Sequence, residues 1–377
     1  MLPLRDFWRK HKRKVYVSIG ILGSGYVLYK LYDSQRERIA ALERELEKQH
    51  EADERIKAQM QASFASIQWI SDTTTLPSVM NDLRIRMSEE LHLSELRDRL
   101  NQGRSQPNRL TAREKLELWE RLKILSFTKA MTSLWAVNML TLFVRVIYNV
   151  LGRHLYIDTA RGVGSIEQLS EADSLDSLGH HEFLSSADYL WKYSLGALIL
   201  DMQKAITEVL NGRQLTELFS MPQLHDTIME MLDTMRKENA SSYHWVPYLL
   251  PDNASTDDPS SATSSHADSG PTTKLELLIM ETRSVLSSDE FSKVVDISLR
   301  EMVNGLMEQM EMQVYANASA ASSSSGVPLV KLVPRIIELC NHLLEEPSKN
   351  TFIHRIQSLP ELDVFCKVLF AGAPLVA

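Results

Sequence analysis

The sequence predicts an all-α fold, an elongated helical bundle around a long central buried helix, with an N-terminal single membrane-anchor helix. Only 14 of 377 residues are glycine and 13 are proline, whereas 44% are apolar. Few turn-forming residues argue against a turn-rich β protein. Residues 112–151 keep one helical pattern that becomes apolar on nearly every side. No run alternates apolar and polar residues as a half-buried strand does.

The composition and the motifs exclude several classes of function. A net charge of -8 provides no general basic face for phosphates, so no nucleic acid is expected as a partner. Cys340 and Cys366 lie in apolar helical contexts without paired spacing and are predicted to be small buried hydrophobes. Neither His50-Glu51 nor His181-Glu182 has a second histidine at metalloprotease spacing. The sequence therefore predicts no enzyme, no cofactor and no metal site.

The N-terminus begins with a basic segment followed by an apolar one. Six basic residues lie in 5–14 against the single acidic residue Asp6, and no charge follows from Val15 to Tyr29. Extended to Tyr32, with Lys30 reaching the interface, this helix would span about 27 Å of a hydrocarbon core about 30 Å thick. The sequence thus predicts a basic targeting segment at 1–14 and a transmembrane anchor at 15–32.

A cleaved signal peptide is the alternative interpretation of this N-terminus, but no small-residue cleavage site directly follows the apolar run. The positive-inside rule would export the body. The two lone thiols and the lack of a disulfide framework instead indicate the cytosol. The three glycosylation sequons, at Asn239, Asn253 and Asn317, are predicted to be unused.

The segment 33–70 predicts a charged helix with apolar residues three and four positions apart. Gln49 and Asp53 interrupt this seam, which favours one long helix packed on the body over a self-sufficient coiled-coil dimer. An amphipathic helix follows at 83–100. Thr111 and Glu114 then form a capping box that starts the central helix.

The central helix is predicted to end at Gly152, and residues 33–377 to form one cytosolic all-α domain. Disordered insertions are expected near 158–182, 251–273 and 316–327, where polar and small residues dominate. The remaining predicted helices occupy 183–211, 215–220, 222–239, 274–286, 289–315, 328–345 and 349–370.

The second half of the central helix, 130–151, admits two interpretations. Its length would allow a second membrane span, but Asn138 and Arg145 in mid-run would each cost roughly 2 to 3 kcal/mol on insertion. A helix buried on all sides by other helices, with these polar groups hydrogen-bonded, accounts for the same apolarity. The second interpretation is favoured.

The first half is amphipathic and carries Trp119. On a helical projection Leu116, Trp119 and Leu122 fall near one line, surrounded by charged residues. The indole could be an ordinary cover of the core. It could also be the anchor of a groove that receives a partner's amphipathic helix, because tryptophan is enriched in binding hot spots.

The run LELWERLKILSFTKAMTSLWAVNMLTLFVRVIYNVLGRHLYID, together with the basic N-terminus and short anchor, resembles the peroxin-3 family, and the layout resembles a plant member. The resemblance implies a docking receptor for the import receptor peroxin-19, through which peroxisomal membrane proteins are inserted. The family's groove uses a tryptophan, a lysine four residues earlier and a leucine on the preceding helix. These correspond to Trp119, Lys115 and Leu100, and Leu116 and Leu122 join them as candidate partner-binding residues.

The resemblance further implies a single-pass protein of the peroxisomal membrane whose C-terminal body faces the cytosol, with lipid contacting the anchor. Two alternatives stay open. One is a generic organelle tether that recruits inheritance or autophagy adaptors, and the other is a membrane-bound enzyme with dispersed site residues.

Overall fold

The computed structural model describes residues 4–105, 111–162, 172–238, 243–251, 273–315 and 326–372. Side chains are described in these ranges except at 4–29, 31, 34, 40, 102–105, 160–162, 172–178, 238 and 315. The described chain is almost entirely helical, which confirms the predicted all-α class. The chain forms two compact units, Met1–Ala62 and Ser63–Ala377.

The described chain contains thirteen α-helices and two short strands. They are α1 (Leu4–Ile70), α2 (Leu76–Glu90), α3 (Leu93–Ser105), α4 (Ala112–Gly162), α5 (Ala172–Ser185), α6 (Leu195–Val209), β1 (Leu218–Phe219), α7 (Met221–Glu238), α8 (Val246–Leu249), α9 (Lys274–Leu286), α10 (Asp289–Tyr315), β2 (Val327–Pro328), α11 (Leu329–Leu343), α12 (Thr351–Gln357) and α13 (Pro360–Ala371). A π-helical turn, Ser71–Thr75, joins α1 to α2.

The first unit contains most of α1. The predicted anchor, 15–32, falls within this helix, but its side chains up to residue 29 lie outside the described residues. The seam residues from Ile39 to Ile56 are exposed.

The second unit is built around α4. Every residue from 131 to 147 is buried, and α2, α6, α10, α11 and α13 all pack against this helix. Among the described residues, Ala112–Thr159 is the one helix apolar and long enough to cross a membrane, and 94% of its most apolar window is buried inside the protein. The prediction of a buried core helix is therefore confirmed.

In the buried half of the core helix, Thr141, Arg145 and Asn149 have hydrogen-bond partners, as predicted. The side chains of Thr132, Ser133 and Asn138 have none among the described residues, which departs from that prediction. The hydroxyl of Thr141 donates to the carbonyl of Val137 at 2.7 Å, and the amide of Asn149 donates to the carbonyl of Arg145 at 2.7 Å. Asn138 is fully buried, and neither atom of its amide has a hydrogen-bond partner among the described residues. This residue departs from the usual satisfaction of buried polar groups.

The predicted helix end at Gly152 is wrong, because α4 continues to Gly162. A Cβ atom built on Gly152 would overlap the Ile67 side chain. The glycine thus allows the end of α1 to approach α4 closely, and does not act as a C-cap.

A helix, α5, also occupies the latter part of 158–182, where a polar loop was expected. The rest of that loop, 163–171, and most of the other two predicted insertions lie outside the described residues.

A short helix predicted at 215–220 is instead a turn followed by the strand β1. This strand pairs antiparallel with β2, matching Leu218 to Pro328 and Phe219 to Val327. A Cβ on Gly326 would lie 2.9 Å from the Phe219 carbonyl, so a residue without a side chain is needed for the pairing.

Both cysteines are buried free thiols, as predicted, and burial raises the pKa of each to about 12.

Candidate functional site

The start of α4 is set by the capping box that the sequence predicts. The backbone N–H of Thr111 donates to Glu114 Oε2 at 2.7 Å, and the backbone N–H of Glu114 donates to Thr111 Oγ1 at 3.2 Å. The hydrogen bonds from Thr111 lower the pKa of the Glu114 carboxyl. Because the first turn is fixed, the directions in which the following side chains point are fixed as well.

A small apolar cluster lies where α3, α4 and α11 meet. The leucines of α3 are spaced three and four apart, which puts them on one face toward α4. The buried members are Leu93, Leu96, Leu122 and Val333, and the half-buried members are Leu100, Leu118, Trp119, Leu125 and Ile337. We call these nine residues the Trp119 cluster.

Trp119 is half-buried at the edge of this cluster. It is neither sealed in the interior nor lying free on the surface. Leu122, one turn further along α4, is 3% exposed and forms part of the floor beneath the half-buried members. Of the five predicted residues, the structure therefore brings Trp119, Leu122 and Leu100 together.

Leu116 and Lys115 lie outside the Trp119 cluster. Residues three apart on a helix are offset by about 60°, so Leu116 and Leu122 point about 120° apart. This geometry corrects the projection that placed them near one line. Leu116 is 56% exposed and lines a cavity of about 620 Å³ with Leu210 and Leu215. Lys115 is half-buried.

The loop across that cavity, 210–216, is held by a buried lysine. Lys123 is 2% exposed, and its ammonium group donates to the carbonyl of Arg213 at 2.8 Å and lies 2.5 Å from Glu120 Oε2. The backbone N–H of Val330 donates to the carbonyl of Leu215 at 2.9 Å. The loop is thus attached to both α4 and α11. Lysine is rarely buried unless its ammonium group is paired, and these two contacts supply the pairing for Lys123.

A second cavity of about 880 Å³ lies between α3, α4 and α6. Its walls include Leu96 and Leu125 of the Trp119 cluster and the exposed Leu200. The two cavities share Glu120 and Ile124 of α4, so they adjoin each other along the part of this helix that follows Trp119.

Apart from Leu100, the part of this surface that α4 does not supply was not predicted from the sequence. Leu93 and Leu96 could have been found from their spacing with Leu100. Val333 and Ile337 of α11 are more than 200 positions away from Trp119, and nothing local in the sequence links the two segments.

The chemical character of this surface is apolar with charged edges. Within the described ranges, no group of three or more histidine, cysteine, aspartate or glutamate residues is arranged to hold a metal ion. The raised pKa values of the two buried thiols leave them protonated near neutral pH. A half-buried aromatic ring and leucines with charged edges can bind the apolar face of another molecule.

Comparison with known proteins agrees with the resemblance found in the sequence. The family model described as Peroxin-3 matches residues 33–372. Peroxisome biogenesis protein 3-2 of Arabidopsis thaliana is 47% identical over 98% of this chain and 99% of its own length, and protein 3-1 of the same plant is 44% identical over the same shares. Peroxisomal biogenesis factor 3 of Homo sapiens is 26% identical over 94% of this chain and 93% of its own. The chain belongs to the peroxin-3 family, as a plant-like member with a role in peroxisome biogenesis as a peroxisome-associated membrane protein.

Proposed function

We propose that this chain is the membrane-anchored docking receptor for the import receptor peroxin-19, and that docking enables peroxisomal membrane proteins to be inserted. The receptor would present an amphipathic helix, and the surface of α3 and α4 around Trp119 would bind its apolar face. The observation that supports this best is the position of Trp119, half-buried on an apolar cluster with exposed Leu116 three residues before it.

The Trp119 cluster has the properties of a preorganised binding surface. Three helices contribute to it, and its buried members hold the half-buried ones from below. A rigid aromatic side chain that is already partly buried loses little conformational entropy when a partner covers the rest of it. Binding would therefore draw on Trp119 and Leu100, while Leu122 supports them without direct contact.

The residues around Trp119 extend the apolar surface and give it charged edges. Leu116 is exposed and reaches the cavity bordered by the loop 210–216. Lys115 is half-buried, so its aliphatic stem can cover apolar surface while its ammonium group meets a carboxylate at the edge of a partner helix. These two residues would lengthen the contact beyond the tryptophan.

The anchor and the orientation are part of the same proposal. The basic segment 5–14 and the uncharged run from Val15 to Tyr29 support a single-pass anchor at 15–32. The two buried free thiols support a cytosolic body, since cytosolic thiols stay reduced. Glycosylation at Asn239, Asn253 or Asn317 in cells would place the body in a lumen and overturn the orientation.

The test of docking is the affinity of the full chain for peroxin-19 after Trp119→Ala. Truncating a central tryptophan costs about 2 kcal/mol, so the dissociation constant should rise about 30-fold. Trp69→Ala is the matched control, because Trp69 is 66% exposed and lies outside the Trp119 cluster. An unchanged affinity of a folded Trp119→Ala protein would contradict the proposal.

A further inference from the structure

A second apolar stripe runs along α1 within the first unit. The side chains recur at alternating spacings of three and four from Ile39 to Met60, with polar Gln49 and Asp53 within the series. Four of its apolar members are between 54% and 63% exposed: Ile39, Leu42, Leu46 and Ile56. Large aliphatic side chains exposed in one continuous row are typical of a surface that another molecule covers.

The spacing is that of a coiled coil, in which the first and fourth positions of a seven-residue repeat are apolar. Ile39, Leu46 and Met60 take the first position, and Leu42 and Ile56 take the fourth. The stripe stops where the second unit begins, since Ile67, the next first-position residue after Met60, packs against Gly152 of its own chain.

The charges beside the stripe select the occupant. In a parallel pair of identical helices, each residue preceding a first position faces the residue five positions later on the other helix. Arg38 would then face Glu43 of the second copy, and Glu45 would face His50. Neither facing pair carries like charges. A parallel second copy of this chain is therefore complementary to the stripe along its edges.

We propose that residues 39–60 of two copies of this chain form a parallel, in-register two-stranded coiled coil. Asp53 places two carboxylates opposite each other, and Gln49 adds a polar layer, so the dimer is weak in free solution. Formation of the dimer therefore depends on the proposed membrane anchor. Two chains held in one membrane by their N-termini meet in parallel and at high local concentration.

Cysteine cross-linking of the full chain in phospholipid vesicles tests the register. Leu42→Cys and Ile56→Cys should each give a disulfide-linked dimer, because only a parallel in-register pair places both positions opposite their own copies. Arg44→Cys is the control, since Arg44 is equally exposed on the opposite face of the helix. The native thiols are buried and do not interfere. Equal cross-linking at all three positions, or none at Leu42 and Ile56, would overturn the proposal.

Charge reversal provides an independent test with no new thiol at the seam. Arg38→Glu exchanges two attractions for two repulsions, which should weaken dimerisation about tenfold by fluorescence energy transfer between labelled copies. The double variant Arg38→Glu/Glu43→Arg should restore it. No loss in the single variant, or a loss that the double variant does not reverse, contradicts the parallel pairing.

Different experimental outcomes would contradict the membrane anchor, the docking surface and the coiled coil. Release of the chain by alkaline carbonate would contradict the anchor. A membrane-held chain that binds peroxin-19 but gives no cross-link at Leu42 and Ile56 would contradict the coiled coil alone. Loss of peroxin-19 binding in the presence of these cross-links would contradict only the docking surface.

Discussion

Arg145, in the middle of the core helix, donates a hydrogen bond of 2.8 Å to Asp72 Oδ2 in the π-helical turn after α1. Two neighbouring contacts join the same segments. Gln68 donates to Asn149 Oδ1 at 3.0 Å, and the hydroxyls of Thr75 and Tyr148 lie 2.5 Å apart. Arg145, which argues against a membrane span, thus attaches the chain after α1 to the core helix, together with Asn149 and Tyr148.

Arg145→Leu should destabilise the second unit by about 2 kcal/mol, because it leaves the half-buried Asp72 carboxylate without its cation. Burial already raises the pKa of Asp72 against the opposing effect of Arg145. Chemical denaturation of the full chain measures the free energy of unfolding. Arg121→Leu on the exposed side of α4 is the control and should change it by less than about 0.5 kcal/mol. Equal effects of the two substitutions would show that the ion pair is not needed.

Gly152→Leu should destabilise the fold by about 2 kcal/mol, since the new side chain must displace Ile67. The companion change Ile67→Ala should recover part of this loss when both are present. Gly196→Ala on α6 is the matched control, because nothing lies within 4 Å of a Cβ built there. That control should stabilise the helix by up to about 1 kcal/mol. Thermal unfolding of the three variants distinguishes an effect of packing against Ile67 from an effect of helix propensity. A Gly152→Leu variant as stable as the wild type would contradict the close approach of α1 to α4.

His244 should make stability depend on pH in the acid range. Burial, with a smaller contribution from Arg236, lowers its pKa from 6.5 to about 4 in the folded protein. Between these pH values the unfolded chain binds more protons than the folded chain, so stability falls as the pH falls. Above about pH 6.5 almost none of this stability is lost. By pH 4 the loss in the free energy of unfolding amounts to roughly 3 kcal/mol.

The measurement for His244 compares the wild type with His244→Gln by denaturation between pH 7 and pH 4. The variant should lose less stability than the wild type over this range. Parallel curves for the two proteins would mean that His244 is not buried in its neutral form.

Leu116→Ser should weaken peroxin-19 binding about fivefold and leave the free energy of unfolding nearly unchanged, because the side chain is 56% exposed in the free protein. Titration of the full chain with peroxin-19 gives the affinity. Leu277→Ser on α9 is a control of similar exposure, at 51%, outside the proposed docking surface. A similar loss in both variants would assign the effect to a general change in the polarity of the surface.

Local rules predicted several elements of the fold well. The Thr111–Glu114 capping box and the buried apolar run of α4 follow from side-chain spacing within a few turns of helix. The same reasoning failed at Gly152. A glycine after an apolar run predicts a helix end, but here a distant side chain, Ile67, occupies the space beside it. The strand β1 was missed for a similar reason, since its pairing partner is more than 100 residues away.

In the candidate site, too, some residues could be predicted from the sequence and others depend on contacts between distant segments. The sequence was enough to single out Trp119, Lys115 and Leu100 through their resemblance to the peroxin-3 family. The half-burial of Trp119 could not be predicted, because it depends on Val333 and Ile337 of α11 as well as on α3. The burial of Lys123 was also missed, since its partner is the carbonyl of Arg213, 90 residues away.

The sequence by itself determined the helical class, the start of the core helix, the apolar character of that helix and the family, because these depend on composition and on contacts within one helix. Only the tertiary structure decided which side chains cover Trp119, why α4 continues past Gly152, and where the polar groups of the core find their partners. These features depend on segments that are far apart in the chain and adjacent in space, and no local periodicity encodes such a meeting.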